Sequence, residues 1–401
     1  MSPTENSSNI MPTYRRTDLR FVSGAGAWLT TDTGDKYLDF GSGIAVNTLG
    51  HAHPRLVGAL QTQAEKLWHV SNLYDIPGQE ALAAHLCAES FADLVFFCNS
   101  GAEAAEGMIK TMRKYHATHN QPARVTLISF AGAFHGRTLA ALAAAGNPDY
   151  LQGFGPAPVG FAQCPEFSIA ALEELVDDTT AGILIEPIQG EGGVRAVPPA
   201  FLRDLREFCD AHGLLLGFDE VQCGIGRTGR LFAHEWAGVT PDVMAIAKGI
   251  GGGFPLGAIL ATHAVGSCMQ PGSHGSTYGG NPLAMAVGKE VLDVVCADGF
   301  LETVNDTAGY LRQQLSALVD KYPDIVSELR GTGLMIGLKC VCENTALVAS
   351  LRGERMLSVP AGENTVRLLP PLNIEREDIR FAMDALEQAC AHLRDEKAGT
   401  V

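Results

Sequence analysis

The run Pro241-Asp-Val-Met-Ala-Ile-Ala-Lys-Gly-Ile-Gly-Gly-Gly-Phe-Pro-Leu-Gly257 constrains this chain more than any other, because a short apolar stretch delivers Lys248 into a glycine-rich loop. Val243 to Ala247 has the length and composition of a strand buried in a sheet, and a lysine followed by glycines at its carboxyl end is poor packing material. Two earlier runs share the pattern: Ala181 to Ile185 ends in Glu186-Pro187, and Leu214 to Phe218 ends in Asp219-Glu220. In open α/β sheets ligands sit outside the carboxyl ends of the strands. A Glu, an Asp and a Lys gathered there describe a site.

Asp219 and Lys248 suggest its chemistry. An amine that condenses with an aldehyde, together with a carboxylate that keeps a pyridine nitrogen protonated, is what pyridoxal phosphate asks of a protein. A plain Lys-Asp ion pair at a sheet edge would account for the same two residues. The remainder of the chain has to decide between them.

At 401 residues the chain has room for two domains, and 46% hydrophobic with 18% charged residues is the composition of a globular protein with a large core. A net charge of -16 and a pI near 5.2 argue against nucleic acid or an anionic membrane as partner. Ten cysteines are scattered without a CxxC pair, which fits buried thiols in a reducing compartment better than a disulfide framework or a zinc site. No apolar h-region follows a basic start and no run approaches a membrane span, so a cytoplasmic location is expected.

In chain order, Phe21-Val22, Ala27 to Thr30 and Lys36 to Phe40 read as short antiparallel strands. His51 and His53 precede Pro54, a pattern that fits a turn better than a metal site. A helix is expected from Pro54, with Leu56, Leu60, Ala64 and Leu67 on one face, and another over Gln79 to Glu89. Strand Leu94 to Cys98 runs into Asn99-Ser-Gly-Ala-Glu103 and then a helix, which is either an anion seat or a simple capping turn. After the strand Arg124 to Phe130, Phe134-His-Gly-Arg-Thr138 can present a ring to a flat heterocycle and Arg137 to a carboxylate, although a surface arginine reads the same. Asn147 to Gln163 reads as a surface connection, Gln189-Gly-Glu-Gly-Gly193 as a flexible loop bearing Glu191, and Pro199 to Ala211 as an amphipathic helix.

Gly224-Ile-Gly-Arg-Thr-Gly229 matches GxGxxG, but it falls mid-chain after two acids that would face a pyrophosphate, so dinucleotide binding is not expected. Arg227 and Arg230 are expected only to hold their own loop. Ser273 to Pro282 is a small-residue loop whose hydroxyls can reach a phosphate, and the texture changes beyond it. The division predicted is an N-terminal segment 1–50 packing with a small domain, a large cofactor-binding domain 51–284 and a small domain 285–401.

Taken together, Asn99 to Glu103, Phe134 to Thr138, Glu186 to Gly193, Phe218 to Gln222, Lys248 with its glycines and Ser276-Thr-Tyr-Gly-Gly-Asn281 resemble, in family order, the class III (ornithine-type) aminotransferases, and within them the acetylornithine branch. The resemblance implies a fold type I pyridoxal phosphate-dependent α/β architecture: a large domain with a mainly parallel seven-stranded sheet, a small α/β domain, and a homodimer with active sites at the interface. It implies that Lys248 bonds the cofactor, that Asp219 pairs with the ring nitrogen, and that Phe134 stacks on the ring. Ser100, Gly101 and Ala102 would hold the phosphate, joined by Thr277 of the second subunit, and Gln222 would lie near the ring hydroxyl. Arg137 would bind the distal carboxylate of the donor, and Arg367 the carboxylate of 2-oxoglutarate, with Glu191 covering Arg367 when an ω-amine is bound. The implied reaction transfers the terminal amine of acetylornithine to 2-oxoglutarate. Succinylornithine and 4-aminobutyrate are alternative donors, and a nicotinamide dehydrogenase or a non-enzymatic cofactor carrier are the remote ones. Ala102 and Cys223 stand where that family often has threonine.

Overall fold

The apolar runs assemble into a seven-stranded sheet in the computed structural model, which describes residues 9–399. In chain order its strands are β1 (Leu94–Cys98), β2 (Thr126–Phe130), β3 (Phe161–Cys164), β4 (Thr180–Ile185), β5 (Leu215–Asp219), β6 (Val243–Ile246) and β7 (Gly257–Ala261). In space they run β1-β7-β6-β5-β4-β2-β3. β2 to β6 are parallel wherever they pair, and β7 lies antiparallel to both β6 and β1. Every residue of β4 to β7 is buried, which is why these segments read as unbroken apolar runs rather than as alternating patterns. Six strands thus deliver their carboxyl ends to one edge.

Helices cover both faces of the sheet. Met108, Ile109 and Met112 of the helix Gly101–Thr118 share a cluster with Leu184, Val243 and Ile259, while Ile183, Leu216 and Met244 point the other way, toward Phe201, Leu205 and Cys209 of the helix Pro199–His212. Neighbouring residues of one strand therefore serve opposite cores. β3 corrects the expectation of a surface connection as far as Gln163. It pairs only with β2 at the sheet edge and is half-buried for three of its four residues, so it carries no apolar run to betray it.

Both chain ends build a second body. Val326–Thr332, Met335–Cys340, Thr365–Leu368 and Val359–Ala361 form an antiparallel sheet in that spatial order. The N-terminal strands Phe21–Ala25, Trp28–Thr31 and Lys36–Asp39 pair antiparallel, and Met356–Leu357 extends them in parallel. Trp28 Nε1 donates to Asp378 Oδ1 at 2.7 Å and its ring meets Phe381 edge-on at 5.0 Å. Residues 1–8 of the expected N-terminal segment lie outside the described residues. The helix Pro282–Val295, capped by Asn281, runs unbroken through the expected boundary at 284/285 and packs on the helices Pro54–Ala64 and Pro77–Ala88.

Candidate active site

The carboxyl edge gathers what the strand ends deliver. β6 ends at Ile246, and Lys248 follows at φ +47°, in a left-handed conformation that costs a non-glycine residue roughly 1 kcal/mol or more. The loop after it is held from the N-terminal segment, where Thr48 Oγ1 donates to Gly249 O at 3.1 Å. Burial pushes the Lys248 amine down to about 8. Arg367 lowers it further, while Glu191, Asp219 and Glu186 pull it back. An amine so placed holds its proton loosely near neutral pH, which suits a nucleophile and proton carrier.

β5 delivers Asp219, 4% exposed, whose Oδ1 accepts from Val221 N at 3.0 Å and whose Oδ2 meets His135 Nδ1 at 2.7 Å. The fully buried His135 side chain sits beside two acids. Burial opposes its charge, yet the hydrogen bond and charge of Asp219, aided by Glu186, raise its pKa. Glu186, at the end of β4, accepts from Phe134 N at 3.0 Å. Desolvation raises its carboxyl to about 8, with the charge of His135 opposing the rise and that of Asp219 adding to it. The sequence named Asp219 and Glu186 and offered His135 only as a ring that, like Phe134, could stack on a flat heterocycle; its contact with Asp219 carries no local signal. Glu220 turns away from the site. Its buried carboxylate accepts from the backbone N–H groups of Ala233 and His234 and from His234 Nδ1, at 2.7 to 2.8 Å.

β1 feeds the amino end of the helix Gly101–Thr118. Ser100 is its N-cap, its hydroxyl accepting from Glu103 N at 3.2 Å, while the first-turn N–H groups point off the end. A Cβ on Gly101 would stand 2.6 Å from Val221 Cγ1, so only glycine lets this helix end approach the turn after Asp219. An anion seat and the Asp219 carboxylate therefore lie on adjoining turns.

Arg367 lies 1% exposed on Thr365–Leu368, and Glu191 meets it at 2.8 Å. Arg367 Nη1 also donates to Gln222 Oε1 at 3.0 Å and Nη2 to Pro360 O at 3.2 Å, whereas Nε has no partner among the described residues. The expected flexible loop is corrected here. A Cβ on Gly190 would fall 2.1 Å from Gln222 Oε1, one on Gly192 would fall 2.5 Å from Gly132 O, and Glu191 O accepts from Gly362 N at 2.7 Å. These glycines allow close packing, so only the Glu191 side chain is free to turn. Gln222, expected near a ring hydroxyl, spends its carbonyl on Arg367.

Arg137 is exposed and lies 4.0 Å over the Tyr150 ring and 5.5 Å from that of Phe134. Tyr150 was not anticipated, because it belongs to the stretch read as a connection. Thr277 is exposed beside Tyr278 and near Asn99. Arg227 does not hold its own loop as expected: its guanidinium donates to Leu334 O and Pro370 O, tying the GxGxxG turn to the C-terminal body. His51 Nε2 contacts Asp39 Oδ2 at 2.8 Å, and His53 precedes the helix that starts at Pro54.

Residues 11–390 match the family model for class-III aminotransferases. The chain is 59% identical to an acetylornithine aminotransferase of Brucella melitensis, over 96% of this chain and 95% of that one. Among solved structures, the ornithine aminotransferase of Toxoplasma gondii, described with partial occupancy of pyridoxal phosphate, matches with TM-score 0.93 at 30% identity, over 97% of this chain and 94% of that one. The N-acetylornithine aminotransferase of Stenotrophomonas maltophilia matches with TM-score 0.84 at 35% identity, over 96% and 98%.

Proposed function

Because this chain belongs to the class-III aminotransferases, we propose that it moves the terminal amine of N2-acetylornithine to 2-oxoglutarate, giving N-acetylglutamate 5-semialdehyde and glutamate, as a step of arginine biosynthesis. The ion pair between Glu191 and Arg367 carries this reading. An acylated ω-amino donor brings no carboxylate beside its reacting carbon, whereas glutamate does. A buried guanidinium with a removable partner serves both in turn.

Pyridoxal phosphate fits the residues present: a desolvated amine of lowered pKa, a buried carboxylate backed by His135, and a helix end that glycine alone leaves open. Lys248 would hold it covalently and Asp219 would face its ring nitrogen. Ser100, Gly101 and Ala102 would hold its phosphate, with Thr277 of a second copy, while Phe134 would cover its ring and Gln222 would lie near its hydroxyl. When bound, the cofactor supplies an aldehyde for the amine and a protonated ring that withdraws electrons. Once the donor amine has taken its place on the aldehyde carbon, the freed Lys248 Nζ would take a proton from the carbon that bears the donor nitrogen and return it on the other side of that nitrogen. Arg137 binds the donor carboxylate, and Glu191 turns aside when the carboxylate of 2-oxoglutarate takes Arg367.

A cytoplasmic homodimer is part of the proposal. Trp68, Leu73, Tyr74 and Tyr278 are 62 to 85% exposed and offer an apolar surface near Thr277, all ten cysteines are free thiols, and the chain carries a net charge of -16. No helix among the described residues is long and apolar enough to cross a membrane. kcat/KM for acetylornithine, succinylornithine, ornithine and 4-aminobutyrate, with 2-oxoglutarate as acceptor, tests the function. Acetylornithine is expected to lead ornithine and 4-aminobutyrate by tenfold or more, roughly the discrimination that one well-made contact provides. A lead by 4-aminobutyrate, or no transfer at all, overturns the reading.

A further inference from the structure

A cavity of about 660 Å³ opens beside the candidate site, its wall shared with it at Phe134, Tyr150 and Glu191 and continued by Arg195, Asn344 and Glu363. Neither Lys248 nor Asp219 lines it, so it is a space next to the chemistry rather than the place of it. Tyr150 links the two, because the guanidinium of Arg137 rests on its ring at 4.0 Å. The acyl branch of an N-acylated donor springs from the carbon that carries the carboxylate. With that carboxylate on Arg137, the branch starts at the Tyr150 wall.

A cavity this large excludes neither an acetyl nor a succinyl group by size, so discrimination has to come from charge and hydrogen bonding. Arg195 supplies both. It stands at the end of the short strand Arg195–Ala196, with Nη1 3.2 Å from Glu363 Oε1 and its guanidinium over the Phe167 ring at 5.3 Å. No other acceptor reaches its N–H groups among the described residues. Glu363 is shared, since its other oxygen takes Arg330 Nη1 at 2.6 Å. The nearby Gln189 Oε1 is buried and has no hydrogen-bond partner among the described residues, and it lies 3.1 Å from the place where a Cβ on Gly132 would stand, as does Arg195 Nη1.

We propose that Arg195 reads the acyl group of the amino donor, and that Glu363, by occupying one side of its guanidinium, sets how strongly an acyl group ending in a carboxylate is favoured. The proposal rests on the acyl-donor reading above. Because the acyl group does not react, the contact is made equally in ground and transition states, and its loss belongs in KM.

The test is steady-state kinetics of the holoenzyme, its Arg195→Leu and its Glu363→Gln variants, with N-acetylornithine and N-succinylornithine each as donor. In Arg195→Leu the succinyl donor is expected to lose about tenfold or more in kcat/KM, through KM with kcat nearly constant, while the acetyl donor loses less than about threefold. Glu363→Gln should move the succinyl-to-acetyl ratio upward by about threefold or more, because a competing carboxylate is gone. If the ratio stays within twofold of wild type in both variants, or if Arg195→Leu lowers kcat equally for both donors, the assignment is wrong. If wild-type enzyme turns over neither acyl donor, the substrate reading fails and the subsite with it.

Discussion

Replacing Glu191 by alanine tests how one pocket accepts two unlike substrates. The carboxylate lies 2.8 Å from a guanidinium that is 1% exposed, so the contact is charge-assisted and worth about 1.5 to 3 kcal/mol. Glu191 is itself 29% exposed, which favours the lower half of that range. Arg367 keeps Gln222 Oε1 and Pro360 O in the variant and is not stripped of every partner. At about 1.4 kcal/mol per factor of ten, the lower half of that range shifts the preference between substrates by roughly ten- to fortyfold. The ω-amine half-reaction should slow, because Arg367 then stands uncompensated beside an apolar methylene chain. The glutamate half-reaction should hold its rate or quicken, because no carboxylate has to be displaced. Stopped-flow single turnovers of each half-reaction measure the two rates separately. A second readout is independent of substrate: Glu191 supports the proton on Lys248 and Arg367 opposes it, so in cofactor-free Glu191→Ala the Lys248 amine should titrate below about 8. The pH dependence of its modification by an amine reagent reports this. Equal slowing of both half-reactions together with an unmoved Lys248 midpoint would refute the switch.

Three further outcomes are expected. Borohydride reduction of the holoenzyme should fix the cofactor on Lys248 alone and Lys248→Ala should abolish the adduct, so a peptide map with the label on another lysine removes this residue from its role. Glu186, raised from 4.5 to about 8, and His135, raised from 6.5, hold protons in the folded state that the unfolded chain has released. Stability of the cofactor-free protein should therefore fall as pH rises from about 5 to 8, and Glu186→Gln should flatten that slope in melts across the window; a slope unchanged by the substitution would place the linked proton elsewhere. Gly101→Ala sets a Cβ 2.6 Å from a β-branched side chain that cannot yield far, so it should cost roughly 1 to 3 kcal/mol and weaken cofactor affinity, with a wild-type melt and affinity as the contrary result.

The candidate site's edge was legible because three fully buried strands run into charged residues, and a buried strand has no packing use for one. His135 was not legible. Its significance lies in a 2.7 Å contact with a residue 84 positions away, and no local pattern encodes that distance. β3 escaped for a different reason: an edge strand needs one partner and little apolar surface, so Phe-Ala-Gln-Cys after a Pro- and Gly-rich stretch reads as loop. The glycines around Glu191 were read for freedom when the fold uses them for proximity. Composition cannot separate those two uses, since both begin from a missing side chain.

Arg137 and Arg367 show why residue type alone did not fix the division of labour between substrates. Arg137 is exposed and rests on an aromatic face, so its charge is hydrated whether or not a carboxylate is present, and it can remain available to a donor at little cost. Arg367 is sealed behind Gln222, Pro360 and Glu191, and there an uncompensated guanidinium is strongly disfavoured. In the proposed reading the same side chain would thus be a standing receptor in one place and a conditional one in the other. Burial makes the difference, and it obliges the inner arginine to have a counter-ion that can leave. A fixed partner such as the Gln222 carbonyl cannot do this, because it is neutral and held against Gly190. Glu191 can, because its backbone is pinned by Gly362 while its carboxylate reaches the partly exposed side of the pocket. In the proposed reading, the requirement for a departing charge, rather than any preference for a glycine-rich loop, would place an acid at position 191.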